Sequence, residues 1–197
     1  MTGIGGAPRL AFDRVACLRG QRLLFEGLSF ALAPGDAALV VGPNGIGKSS
    51  LLRLAAGLLA PAAGGIERSG RIALADERHA LDPRKPLADA LGYWAGLDGA
   101  GGNAVAGALA AVGLDAIAEV PVRMLSTGQA RRAGLARLIA GGAEIWLLDE
   151  PGNGLDTASL DRLAAIMAAH RARGGLILAA SHQPLGLIDA VPVDLAA

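Results

Sequence analysis

Residues 42–49 read Gly42-Pro43-Asn44-Gly45-Ile46-Gly47-Lys48-Ser49, the spacing G-x-x-x-x-G-K-[ST]. Each residue type in that pattern has a physical reason. Glycines let the backbone wrap closely around phosphate oxygens and turn successive N–H groups inward. A helix starting near Lys48 adds the positive end of its dipole. The Lys48 ammonium can reach β- and γ-phosphates, and the Ser49 hydroxyl can ligate Mg²⁺. The flanks suit the pattern. Ala37 to Val41 is a short apolar run, and Ser49 to Leu59 is amphipathic, with Leu51, Leu52, Leu54, Ala55 and Leu58 on one stripe. This context separates the segment from an ordinary glycine-rich turn. It makes Gly42 through Ser50 the candidate phosphate cradle.

The rest of the chain alternates between strand and helix patterns. Residues 9–18 and Leu23 to Leu32 read as strands, with a turn at Pro34-Gly35. Ile66 to Ala75 reads either as a strand pair or as one strand with a turn at Ser69-Gly70. Helical patterns follow at 86–97 and 103–112, separated by Gly99-Ala100-Gly101-Gly102, then at 126–140 and from Leu160 to Arg173. Ile145 to Leu148 and Leu176 to Ala180 read as buried strands, and the remaining tail is short. The alternation predicts an α/β core with a mostly parallel sheet. Within the 197 residues, 1–75 and 124–197 are expected to form one core, with 76–123 as a mainly helical insertion.

Composition narrows the function classes. Lys plus Arg and Asp plus Glu both number 18, so the formal charge is zero, which argues against a nucleic-acid-coating protein. No apolar stretch reaches the roughly 18–20 residues of a spanning helix, and residues 1–9 do not read as a secretory signal. Contact with a membrane would therefore go through another protein. Cys17 is the one cysteine, so an internal disulfide is ruled out, and a small core residue is its plainest reading.

Two further segments carry chemistry. Ile145-Trp146-Leu147-Leu148-Asp149-Glu150 is an apolar run ending in two carboxylates, and ligands gather at the carboxyl ends of parallel strands. Asp149 is thereby placed to hold Mg²⁺, and Glu150 to orient and deprotonate an attacking water. Leu125-Ser126-Thr127-Gly128-Gln129 opens a helix carrying Arg131, Arg132 and Arg137; by itself Ser126 reads as a helix cap.

The order of these pieces is more specific than any one of them. A phosphate loop, then LSxGQ, then an apolar strand with Asp-Glu, then His182 beyond a further strand resembles the ATPases of ABC transporters over nearly the whole chain. That resemblance implies a P-loop NTPase fold with a mixed β core, an N-terminal antiparallel β portion and a small helical subdomain. It implies ATP and Mg²⁺ as ligands and a head-to-tail pair of chains. In such a pair Ser126, Gly128 and Gln129 of one copy face the γ-phosphate held by the other. It also implies that His182 contacts both the γ-phosphate and Glu150, and that Leu155-Asp156 runs along the interface between copies.

The chain departs from that family pattern in three places. Arg19 stands where an aromatic commonly stacks on adenine, and a guanidinium plane can stack in its place. Asp76-Glu77-Arg78 stands where a glutamine usually senses the metal and the membrane partner, with Glu77 as the candidate replacement. Gly152-Asn153-Gly154 replaces small hydroxyl residues and is expected to be flexible. Leu91-Gly92-Tyr93-Trp94-Ala95-Gly96-Leu97 carries paired aromatics, either as core of the insertion or as an anchor for a partner helix. Arg19 to Phe30 and His182 to Leu187 resemble the ATPase subunits of bacterial cytochrome c maturation systems. What that implies is a peripheral protein on the cytoplasmic face of the inner membrane, with an integral-membrane subunit of the CcmB kind and haem-handling maturation proteins as partners. Two other readings share the same residues: an ABC ATPase for another exported cargo, and a nucleotide-gated clamp with little hydrolysis.

Overall fold

The buried strands are near-continuous apolar runs, which only a sheet covered on both faces can accommodate. In the computed structural model, which describes residues 6–76, 80–101 and 103–195, those runs form a parallel five-stranded sheet. Its strands are β3 (Ala37–Val41), β5 (Ile72–Ala75), β6 (Ile145–Asp149), β7 (Leu176–Ala180) and β8 (Val191–Asp194), in the spatial order β5-β6-β7-β3-β8. All five residues of β7 are buried, as are the first four of β6. A separate antiparallel sheet joins β1 (Arg9–Arg19), β2 (Arg22–Leu32) and β4 (Ala63–Ser69), in the order β2-β1-β4. Phe12 and Phe30 stack across its hairpin at 4.6 Å between ring centroids.

The segment from Ile66 to Ala75 is a strand pair, but its two members serve different sheets. β4 runs antiparallel to β1, and β5 runs parallel to β6. Between them the chain turns at Gly70, whose φ is 105°. The short tail holds one strand that its composition hides. β8 contains Pro192 and lies on the sheet edge beside β3, where a missing N–H is tolerated.

Helix α1 (Lys48–Ala55) ends before Leu59 because Gly57, at φ 75°, turns the chain. Arg68 of β4 then satisfies the exposed helix carbonyls, donating Nε to Ala55 O at 2.8 Å and Nη2 to Leu54 O at 2.5 Å. Helices α2 (Leu87–Leu97) and α3 (Ala104–Val112) lie in the 76–123 segment and pack against α4 (Thr127–Gly141). α5 (Thr157–Ala172) begins three residues earlier than its apolar pattern, because Asp156 caps it by accepting a hydrogen bond from Ser159 N at 2.8 Å. The apolar core has two parts, one on each face of the parallel sheet. One joins α2, α3, α4 and α5 to Trp146 and Leu148, and the other joins α1 and the antiparallel sheet to Ile145 and Leu147. The alternating sides of β6 are thus both covered, and its carboxyl end emerges between the two cores.

Candidate active site

Three neighbouring strand ends place the site. β3 runs into residues 42–49, and β6 and β7 end beside it at Asp149 and Ala180, which are paired in register. Gly42 and Gly47 hold φ values of 136° and 124°, a region that side chains disfavour. At Gly47 a side chain would also be crowded: a Cβ would sit 3.3 Å from both Leu24 Cβ and Phe25 Cδ1. The loop backbone therefore presses against β2 while α1 begins at Lys48, with no side-chain cap on its first N–H groups. Uncapped donors at a helix start are free to meet an anion.

A cavity of about 320 Å³ opens over this loop, lined by Leu24, Asn44, Gly45, Gly47, Lys48, Ser49, Ser50, Asp149 and Glu150. Lys48 is buried, with its Nζ donating to Gly42 O at 2.7 Å and lying 3.8 Å from Glu150 Oε1. Asp149 is beside the Ser49 hydroxyl. Burial pushes its carboxyl above the ordinary value; the Ser49 hydrogen bond opposes this, the Glu150 charge adds to it, and Arg53 opposes it. A desolvated carboxylate joined to a hydroxyl is a donor set suited to a hard, oxygen-seeking cation.

Glu150 adopts φ 48°, which costs a non-glycine residue on the order of 1 kcal/mol or more. Neighbours hold it there. Its N–H donates to Ala180 O at 2.8 Å, and its carbonyl accepts from Arg131 Nη1 at 3.3 Å and Asn153 N at 3.2 Å. On the far side, His182 Nδ1 lies 2.9 Å from Glu150 Oε2. One carboxylate thus meets the Lys48 ammonium with one oxygen and an imidazole with the other.

The structure does not bring every candidate residue to this cavity. Pro43 and Ile46 do not line it: Pro43 O accepts from Lys48 Nζ at 3.5 Å, and a Cβ at Gly42 would lie 3.2 Å from Ile46 Cγ2. Arg19 is exposed at the tip of the β1–β2 hairpin, opposite Arg22. Ser126, Gly128 and Gln129 open α4 and do not line the cavity of their own chain. Ser126 and Gln129 form a reciprocal capping box, with Ser126 N donating to Gln129 Oε1 at 2.8 Å and Gln129 N to Ser126 Oγ at 3.3 Å. Ser126 Oγ accepts in that box, so its own O–H is not used by the box. Glu77 lies outside the described residues.

Several contributors were not legible in the sequence. Leu24 reaches the cavity only through hairpin register, and Arg131 reaches Glu150 only through the packing of α4. Gly152 is buried, and a Cβ there would lie 2.7 Å from Gln183 Nε2 and 3.1 Å from Leu160 Cδ2, so a side chain at this position would have to displace the ends of those neighbours. Gln183, next to His182, in turn donates Nε2 to Asn153 Oδ1 at 3.4 Å.

Comparison with known proteins agrees with this arrangement. Residues 25–153 match the family described as ABC transporter. A Sphingopyxis alaskensis protein, the cytochrome c biogenesis ATP-binding export protein CcmA, is 59% identical over 91% of this chain and 93% of its own length. Proteins of the same description from Zymomonas mobilis and Rhodospirillum rubrum are 57% and 48% identical, covering 93% and 98% of this chain and 83% and 88% of theirs. Among solved structures, a Pyrococcus furiosus protein assigned to the ABC transporters as an ATP-binding protein superposes with a TM-score of 0.84 at 25% identity, covering 95% of this chain and 98% of that one. An ATP-bound bacterial Atm1-family ABC exporter shares the fold alone, with a TM-score of 0.83 at 22% identity over 98% of this chain and 37% of that one. The chain is an ATP-binding, ATP-hydrolysing member of the ABC transporter family and belongs within it to the group of cytochrome c biogenesis ATP-binding export proteins.

Proposed function

We propose that this ATPase works as a head-to-tail pair and drives a membrane complex in c-type cytochrome biogenesis, coupling hydrolysis to release of a haem-loaded chaperone. The observation that carries the hydrolytic part is the placement of Glu150, held between Lys48 and His182 at the rim of the phosphate loop. The cytochrome c part rests on relatives that match at up to 59% identity along most of their length.

Loop N–H groups of Asn44, Gly45 and Gly47, with Ser49 and Ser50, receive the phosphates, while Lys48 moves from Gly42 O and Glu150 to the β- and γ-phosphate oxygens. Ser49 and Asp149 fit Mg²⁺, which when bound neutralises charge on those oxygens. Glu150 takes a proton from the attacking water, and His182 fixes its carboxylate and contacts the γ-phosphate. Arg19 lies against the adenine. Ser126 and Gly128 of the second copy complete the site with the hydroxyl, a backbone N–H and the positive end of α4, while Gln129 holds Ser126 in place. Positioning and electrostatics do the catalytic work, as they do in phosphoryl transfer generally.

The 76–123 segment is the helical insertion, set on a catalytic core of 1–75 and 124–197. Its α2 groove beside Tyr93 and Trp94 receives the integral-membrane subunit. Among the described residues no helix is long and apolar enough to cross a membrane, so the proposed seat on the cytoplasmic face of the inner membrane depends on that partner. Affinity capture of the chain from its native membrane tests the reading. Recovery of an integral-membrane protein together with haem-binding components supports it. Recovery of a membrane subunit alongside a different set of cargo proteins replaces the cytochrome c assignment with another exporter.

A further inference from the structure

A buried arginine that the hydrolytic site does not use joins α4 to the proposed partner face. Arg137 lies in the second half of α4, ten residues beyond Thr127. Its Nη2 donates to Leu74 O at 2.6 Å, one residue before the end of β5. Its guanidinium also lies over the Trp94 ring of α2, 5.1 Å from the centroid. Trp94 in turn donates Nε1 to Ala80 O at 2.7 Å, and Ala80 is held at φ 52°. The pair therefore hydrogen-bonds the chain on both sides of the loop after β5, at Leu74 O before it and at Ala80 O after it.

This loop carries Asp76-Glu77-Arg78, where the family pattern calls for a glutamine. Its first residue, Asp76, is close to Asp149. Asp76, Arg131 and Asp149 line one small cleft with Ala75, Gly134, Leu135 and Pro151. On the other side Trp94 adjoins exposed Tyr93, and both line a groove of about 360 Å³ with Lys85 and Leu81.

Keeping Arg137 there is costly. Its Nε is buried with no hydrogen-bond acceptor among the described residues. Burial also pulls its guanidinium below the ordinary range, an effect opposed by Asp98 and then Asp76. A methionine or leucine would fill such a space without leaving a buried charged donor unmatched. What an apolar residue would not supply is a planar cation that stacks on an indole while donating to a strand end.

We propose that Arg137 is a positioning residue which, through Trp94, couples the nucleotide state of the site to the outer face of α2. α4 is the rigid connector. It starts at Ser126, touches the Glu150 carbonyl through Arg131, and ends its functional reach at Arg137. A shift of α4 when ATP is bound alters the stack and, through it, the loop ends and the α2 surface. The inference rests on the reading that α2 faces a membrane partner, but its test needs only the isolated chain, so the two fail separately.

Trp94 reports directly, because Trp146 is the chain's other tryptophan and is buried in the core. In a Glu150→Gln background, which is expected to keep ATP bound, MgATP is expected to change the indole emission, and Trp94→Phe to remove that change. Arg137→Gln is expected to reduce the change at least about fivefold while the ATP dissociation constant stays within about twofold. An emission change that persists in Arg137→Gln, or no Trp94 response in the parent, overturns the proposal. Should Arg137→Gln fail to fold, Arg137→Lys decides: it keeps the charge and can donate to Leu74 O but has no plane to stack. Loss of more than half the Trp94 response in Arg137→Lys supports the proposal, and a full response overturns it.

Discussion

His182 Nδ1 and Glu150 Oε2 lie 2.9 Å apart, although 32 residues of chain separate them. The contact exists because β6 and β7 are parallel neighbours that end together. Glu150→Gln keeps a polar group of the same shape and removes the base. Turnover is expected to fall about 10²-fold or more with ATP affinity retained, read from steady-state hydrolysis and equilibrium nucleotide binding. His182→Ala leaves Glu150 without its orienting partner and is expected to lower kcat more than it raises KM.

Asp149 predicts an exchange of stability for function. Its carboxyl is raised by burial, so between its ordinary value and the raised one the folded chain holds more protons than the unfolded chain. This group's contribution to stability therefore falls as pH rises through that window and stays low above it. Asp149→Asn is expected to raise the melting temperature of the nucleotide-free protein near neutral pH while abolishing Mg²⁺-dependent turnover. Thermal melts with and without MgATP check both halves, since only the parent should gain the full stabilisation from MgATP.

His170 predicts an acid limit unrelated to the active site. It stacks on Trp146 at 3.8 Å, and its Nε2 lies 3.1 Å from Glu144 O. Burial is the main cause of its depressed pKa; the backbone hydrogen bonds at Glu144 and Leu176 oppose it, the Arg173 charge adds to it, and the Glu144 charge opposes it. A depressed histidine contributes stability that is present above its ordinary value and is lost as pH falls below it. Melting temperature is expected to drop on acidification below about pH 6.5, where free histidine takes up its proton. His170→Phe keeps the stack on Trp146 and should flatten that part of the profile.

Gly152 predicts that restoring a side chain after Glu150 is harmful in this chain. A Cβ there would lie 2.7 Å from Gln183 Nε2 and 3.2 Å from Leu185 Cδ2. Gly152→Ser is expected to cost about 1–3 kcal/mol through overpacking. It should also lower turnover, because Gln183 adjoins His182. Chemical denaturation and hydrolysis rates measured on one preparation check the two effects together.

The parts of this molecule legible in its sequence are those with a local pattern. The phosphate loop, the four apolar residues before Asp149, and the Ser126 cap each carry their signal within about ten neighbouring residues, the range over which periodicity and capping act. What was hidden depends on partners distant in the chain. The crowding a side chain would meet at Gly152 is invisible in the sequence, because Gln183 and Leu185 are distant in the chain. Arg137 is one of three arginines on one helix in the sequence and is set apart only by Trp94 and Leu74 O beside it. β8 is hidden because Pro192 argues against a strand anywhere but an edge.

Completion of the proposed site requires a second chain, since Ser126 and Gly128 do not line the phosphate cavity of their own chain. The most direct measurement is the solution mass of Glu150→Gln by sedimentation, with and without saturating MgATP. One chain is expected without nucleotide and two with it, with loss of the larger species when Ser126→Ala is added. A mass that stays at one chain while ATP occupies the phosphate loop would contradict the pairing.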